Sequence, residues 1–121
     1  MSPYREALAW FSQEPYGGSS LGLAKLILSL STSRHPFSLA DCLASTSGPH
    51  RRLAMRIVHH YEENGVDDEL HAAAEEACRH HPRLLALSHA MKEASRNLMA
   101  AWADDFANQA RQQAGKPWTD D

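Results

Sequence analysis

GPHRRLAMRIVHHYEENG, residues 48–65, reads as one amphipathic helix bracketed by glycines. Leu53, Ile57 and Tyr61 recur at every fourth position, with Ala54 and Val58 beside them, so the apolar side chains share one helix face. Gly48 and Pro49 open the segment; proline suits a first helical position because its missing N–H would have no intrahelical partner there. Asn64-Gly65 closes it, glycine taking the left-handed cap that other residues resist.

The same helical period extends outward in both directions, and no segment alternates as a half-buried strand would. Toward the N-terminus, Ser2-Pro3 starts a first helix with Tyr4, Ala7, Leu8 and Phe11 on one face, ended by Pro15 and Gly17-Gly18. Ser19 or Ser20 is expected to cap a second helix running to about Ser31, with Leu23, Ile27 and Leu30 inside. After an Arg34-His35-Pro36 turn, Ser38 caps a short third helix, with Asp41 in the place of a capping-box acid. Beyond Gly65, Asp67, Asp68 and Glu69 occupy the first turn of a fifth helix, where the helix dipole favours negative charge. Pro82 ends the fifth helix and starts the sixth.

The sixth helix is predicted from Pro82 to Ala114, before Gly115. At 1.5 Å per residue it would be about 48 Å long, beyond the roughly 27 Å diameter expected of a domain this size. Leu84, Leu87, Met91, Ala94, Leu98 and Ala101 form a face suited to packing on the bundle; Trp102, Phe106 and Ala110 form a second, rotated stripe. The helix is therefore expected either to break near Asp104-Asp105 or to pack its end on another subunit, with Trp102 and Phe106 as the dimer contact. The fold expectation is all-α: a compact bundle of five or six helices with a long C-terminal helix. It forms a single domain over residues 1–115, with a loose tail over 116–121 in which Trp118 can dock.

A chain of 121 residues buries roughly two-thirds of its unfolded surface, enough for a core without disulfide or metal staples. Cys42 and Cys78 therefore read as reduced thiols in a cytoplasmic protein. Residues 1–10 lack a basic flank followed by an apolar stretch, so no signal peptide is expected. Leu21 to Leu30, interrupted by Gly22, Lys25 and Ser29, is far short of the ~20 residues a bilayer crossing needs. A net charge of −3 gives no global attraction to nucleic acid or anionic membrane, so any such attraction is local.

Locally, charge is sorted into two blocks. Arg51, Arg52 and Arg56 come first, flanked by His50, His59 and His60. Glu62, Glu63, Asp67, Asp68, Glu69, Glu75 and Glu76 follow with no Lys or Arg among them. The third and fourth helices have the layout of a helix-turn-helix, with Ala44 and Gly48 spaced as its small residue and turn glycine. The three arginines would then lie toward the start of the recognition helix. Ser47 stands where an apolar turn residue is expected, and the adjoining acidic run would repel phosphate. Helix capping accounts for Asp67, Asp68 and Glu69, but Glu62 and Glu63 end a helix, where the dipole disfavours them. A surface kept for its charge explains those two, and its natural partner is a basic groove on a nucleic-acid-handling protein.

Catalytic and cofactor patterns are weak. His59/Glu63, His71/Glu75 and Glu76/His80 each pair two candidate ligands on one helix face, yet a helix-bundle di-iron site needs Glu-x-x-His from two helices, and none occurs. Gly17-Gly18-Ser19-Ser20 lacks the Gly-Lys-Ser/Thr ending of a nucleotide loop. Cys42 and Cys78 sit in apolar-rich helices as packed rather than activated thiols. No metal, no cofactor and no enzymatic activity are expected.

EPYGGSSLGLAKLILSL, residues 14–30, followed by RHPFSLAD, residues 34–41, resembles an uncharacterised family of small helical proteins carried on bacterial plasmids, integrative elements and phages. The likeness covers residues 7–65 and extends to Leu87. No site residues carry over from it. It implies a setting in which small accessory proteins bind a host protein; inhibitors of CRISPR effector complexes are one such class.

The leading expectation is a non-enzymatic protein-binding accessory protein of a mobile element that inhibits a host defence (CRISPR-type) complex by occlusion, through the acidic residues from Glu62 to Glu76. The alternative is a dimeric helix-turn-helix-like DNA-binding regulator using Arg51, Arg52 and Arg56. The partner expected is a host protein or nucleoprotein complex, with a homodimer through Trp102 and Phe106 as a further option and no membrane.

Overall fold

Among the described residues six helices follow one another: α1 (Pro3–Gln13), α2 (Gly18–Leu30), α3 (Leu39–Ala44), α4 (Pro49–Asn64), α5 (Asp68–His80) and α6 (Pro82–Ala114). The computed structural model describes residues 2–14 and 17–114, and among these there is no strand. Pro15, Gly115 and the expected tail with Trp118 lie outside the described residues. The protein is all-α, a helical bundle with a long final helix.

Most helix starts follow from their caps. Ser2 Oγ accepts from Arg5 N–H and Ser38 Oγ accepts from Asp41 N–H, each satisfying one of the donors a helix leaves open. Asp67 does the same for α5, its Oδ1 lying 2.8 Å from Leu70 N. The expected cap of α2 needs correction. The helix begins two or three residues earlier, at Gly18 behind an extended Gly17, and no side chain caps it. The serine hydroxyls are used across the fold instead: Ser19 Oγ donates to Ser45 O, and Ser20 Oγ pairs with His81 Nε2.

α4 is closed at both ends by glycines with positive φ, +54° at Gly48 and +65° at Gly65. Gly65, with ψ at −152°, lies outside the left-handed helical region predicted for it, in territory essentially reserved for glycine. The requirement for glycine is the same.

The chain divides into two units, residues 1–89 and 90–121. In the first, α2 is the central element, packing against α1, α3, α4 and α5. Its sequence dictates this: Leu23, Ala24, Leu26, Ile27 and Leu28 are all buried, and a helix apolar nearly all round must be enclosed. Tyr4 and Phe11 of α1, Ile57 of α4 and Leu70 of α5 complete the core, each fully buried. At about 1.5–3 kcal/mol per enclosed large side chain, these residues dominate the stability of the unit. Gly22 lets α2 meet α3 closely; a β-carbon there would stand 2.5 Å from Cys42 O.

The second unit, as far as Ala114, is the continuation of α6. The helix does not break at Asp104-Asp105. Of the apolar face predicted along α6, only Leu84 is buried; Leu87 is 46% and Leu98 53% exposed. The spacing marks a face correctly without saying what covers it. Among the described residues, no helix is long and apolar enough to cross a membrane.

Candidate interaction surface

Both charge blocks fall on α4, α5 and the turn between them, and the structure treats them unequally. Arg51 Nη2 donates to Leu43 O at 2.9 Å, which also accepts from the Thr46 N–H and hydroxyl, and to Thr46 O at 2.8 Å in the segment after α3. Arg56 Nη1 lies 2.6 Å from Glu6 Oε2 on α1. Only Arg52 of the three has no such partner among the described residues. Together with Met55 and Pro49 the arginines line a shallow groove of about 440 Å³ formed by α4 alone. The flanking histidines are structural too: His50 meets the Trp10 ring at 4.2 Å and His60 meets Tyr4 at 5.1 Å, both edge-on.

In the acidic block, Asp67 is committed to its cap and lies 3.6 Å from His60 Nε2. Glu62 and Glu63, unexplained by capping, flank His59 at 3.8 and 3.3 Å. All three remain well exposed, so these contacts hold the charges loosely at the surface. Glu76 meets Arg79 at 2.5 Å and His80 at 3.5 Å on its own helix. Asp68, Glu69 and Glu75 are exposed and make no ion pair or side-chain hydrogen bond among the described residues. The field of this turn reaches inward to Tyr4. Burial, then the charges of Asp67, Tyr61 and Glu69, push its phenol up to about 12.

Of the two thiols, Cys42 is enclosed and Cys78 is half-buried. Burial pushes the Cys42 thiol up to about 11, and Cys78 is raised by burial and by Glu75. Two buried histidine–serine pairs escaped sequence reasoning, Ser20 with His81 at 3.3 Å and Ser88 with His35 at 2.6 Å. Ser20 is 2% exposed and Ser88 0%, out of a substrate's reach, so both pairs bind elements together. Among the described residues no three His, Cys, Asp or Glu side chains converge as a metal would require. His71 and Glu75, paired by spacing, are both exposed and form no ion pair. Trp102 and Phe106 are 53% and 67% exposed in the second unit.

Sequence reasoning also missed a cleft of about 640 Å³ in the first unit, lined by α2, the segment after it, α3, α4 and the α4–α5 turn. No periodic signal announces it, because its walls come from distant parts of the chain. No known protein family, curated protein or solved structure matches the chain.

Proposed function

We propose that the protein is a non-enzymatic accessory protein that binds a host protein or nucleoprotein complex through the acidic surface running from Glu62 to Glu76. One observation carries this reading. The basic block is largely consumed within the fold, Arg51 on the Leu43 and Thr46 carbonyls and Arg56 on Glu6, while Asp68, Glu69 and Glu75 stay exposed and uncommitted. Exposed carboxylates without internal partners retain their charge for a basic surface elsewhere, and such complementarity sets partner choice and encounter rate. The resemblance to proteins of mobile elements supports occlusion of a host defence complex of CRISPR type as the mode of action.

The test is reversal of Glu62, Glu63, Asp68 and Glu69 to lysine, leaving Asp67 in place because its carboxylate caps α5. Pull-down from the host followed by mass spectrometry is expected to recover a partner with the wild type at low salt and to lose it with the variant. Circular dichroism is expected to show equal helical content. A variant that still retains the partner rejects the acidic surface.

A second reading, a dimeric helix-turn-helix-like DNA-binding regulator, is supported by the sharp Gly48 turn between α3 and α4 and by the free Arg52. It has one uncommitted arginine where the sequence offered three. A gel shift without binding at low salt rejects it.

A further inference from the structure

We propose that the 640 Å³ cleft binds a small amphipathic anion, an aliphatic tail carrying one carboxylate, with Arg34 as the anchor for the charge. The volume falls within the roughly 300–1,000 Å³ typical of small-ligand sites. Leu26, Leu30, Phe37, Leu39, Val58 and Val66 supply an apolar wall, and two of them, Leu39 at 52% and Val66 at 40%, are strongly exposed for their type.

The polar lining narrows the head group. Ser29 Oγ donates to Leu26 O and Ser31 Oγ to Leu28 O, so these hydroxyl protons are spent on the cleft's own helix. The His35 ring is held by Ser88. Arg34 is exposed, and its guanidinium makes no hydrogen bond or ion pair among the described residues. Tyr61 adds a half-buried phenol. No carboxylate lines the cleft; the nearest in sequence, Glu62 and Asp67, flank Tyr61 and Val66 from outside it. The one charge in the lining is therefore a cation, which selects an anion. The guanidinium fork matches a carboxylate in particular, two parallel N–H donors to two oxygens.

Arg34 also holds a backbone that resists it. Its φ of +47° makes it the one non-glycine residue in the left-handed region among those described, and its N–H closes a turn onto Ser31 O at 2.9 Å. Glycine would adopt this conformation without strain. A charged side chain kept at a strained position on a cleft is the arrangement found where strain serves a ligand. It also gives a clean variant, because Arg34→Gly relieves the backbone while deleting the anchor.

The experiment titrates the full chain with decanoate below its micellar concentration, with decanol and with acetate, following amide chemical shifts by NMR. Saturable decanoate binding is expected, with shifts at Leu39, Val58 and Val66; acetate should leave them unmoved. Decanol should bind about tenfold more weakly, the loss of one charge-assisted pair. Arg34→Gly should weaken decanoate by a similar factor, leave decanol unchanged and not lower the melting temperature. Leu39→Asp should weaken both. Absence of saturable decanoate binding, equal binding of decanol, shifts confined to other surfaces, or full affinity in Arg34→Gly each overturns the proposal. A change in sedimentation that accounts for the shifts assigns the cleft to a second copy of the chain and likewise overturns it.

Discussion

His81, at the end of α5, is joined to Ser20, near the start of α2: its Nε2 lies 3.3 Å from the Ser20 hydroxyl in a buried pair. The Phe11 ring stands edge-on to the imidazole at 5.7 Å. Burial, and then the neighbouring His80, lowers the His81 pKa from its ordinary 6.5. The unfolded chain thus takes up a proton before the folded one does. The stability this pairing contributes is full above about pH 6.5 and declines as pH falls toward the lowered folded value. Urea midpoints measured from pH 8 down to 5 are expected to fall below that point, and the part of the decline due to this residue should vanish in His81→Gln.

Gly22→Ala should be among the most damaging single changes. Its β-carbon would approach Cys42 O at 2.5 Å and Ser45 Oγ at 2.8 Å, and the first is backbone that cannot swing aside. A loss of about 1–3 kcal/mol is expected, read from chemical denaturation. Gly48→Ala meets nothing within 4 Å, so its cost comes only from the backbone angles, φ +54° with ψ −126°, and should be about 1–3 kcal/mol. A negligible loss in Gly22→Ala would show that α2 and α3 can part cheaply.

Arg51 and Arg52, neighbours of the same type, should separate in a denaturation experiment. Arg51→Ala leaves Thr46 O without its donor, Leu43 O keeping those of Thr46, and should cost about 1 kcal/mol. Arg52→Ala should fall within about 0.5 kcal/mol of the wild type. A DNA-binding assay should accordingly use the Arg52 variant, since the Arg51 variant confounds binding with stability.

The two thiols should differ in reaction with iodoacetamide. Cys42 is 1% exposed with its pKa pushed up to about 11, so little thiolate exists at pH 8 and none is accessible. Cys78 is half-buried and should be alkylated first, as peptide mapping by mass spectrometry would show. Faster labelling of Cys42 would mean that α2 and α3 open in the native state.

Trp102 and Phe106 expose large aromatic surfaces one turn apart on the second unit. If they pair subunits, sedimentation equilibrium should give a mass above 13.5 kDa that returns to this value in Trp102→Ala, Phe106→Ala. An identical mass for both proteins removes the stripe from consideration as a dimer contact.

The helix boundaries were legible because their signals are local. Ser2-Pro3, Ser38, Gly48-Pro49, Asp67 and Pro82 each act within one turn, and each marks a helix start in the structure. Ser20 misled because its hydroxyl is used by a residue 61 positions away, which capping rules cannot weigh against the cap. The arginines of α4 read as a free basic face because spacing fixes direction, not partner. Glu6, fifty positions from Arg56, carries no sequence mark of the ion pair. The cleft was illegible for the same reason, its walls being gathered from residues 26 to 66 by tertiary packing.

Gly48 and Gly65 border α4 by backbone angle alone, with open space where a side chain would stand. Nothing packs against either position, so neighbouring surfaces can change without disturbing them. What they hold constant is length: sixteen residues between two obligatory bends. Inheritance acting on this segment is therefore free to rewrite outward letters that hold no partner, as at Arg52, but not to add or drop one. An insertion would turn the inner face of α4 out of phase and sever the register between its charged ends.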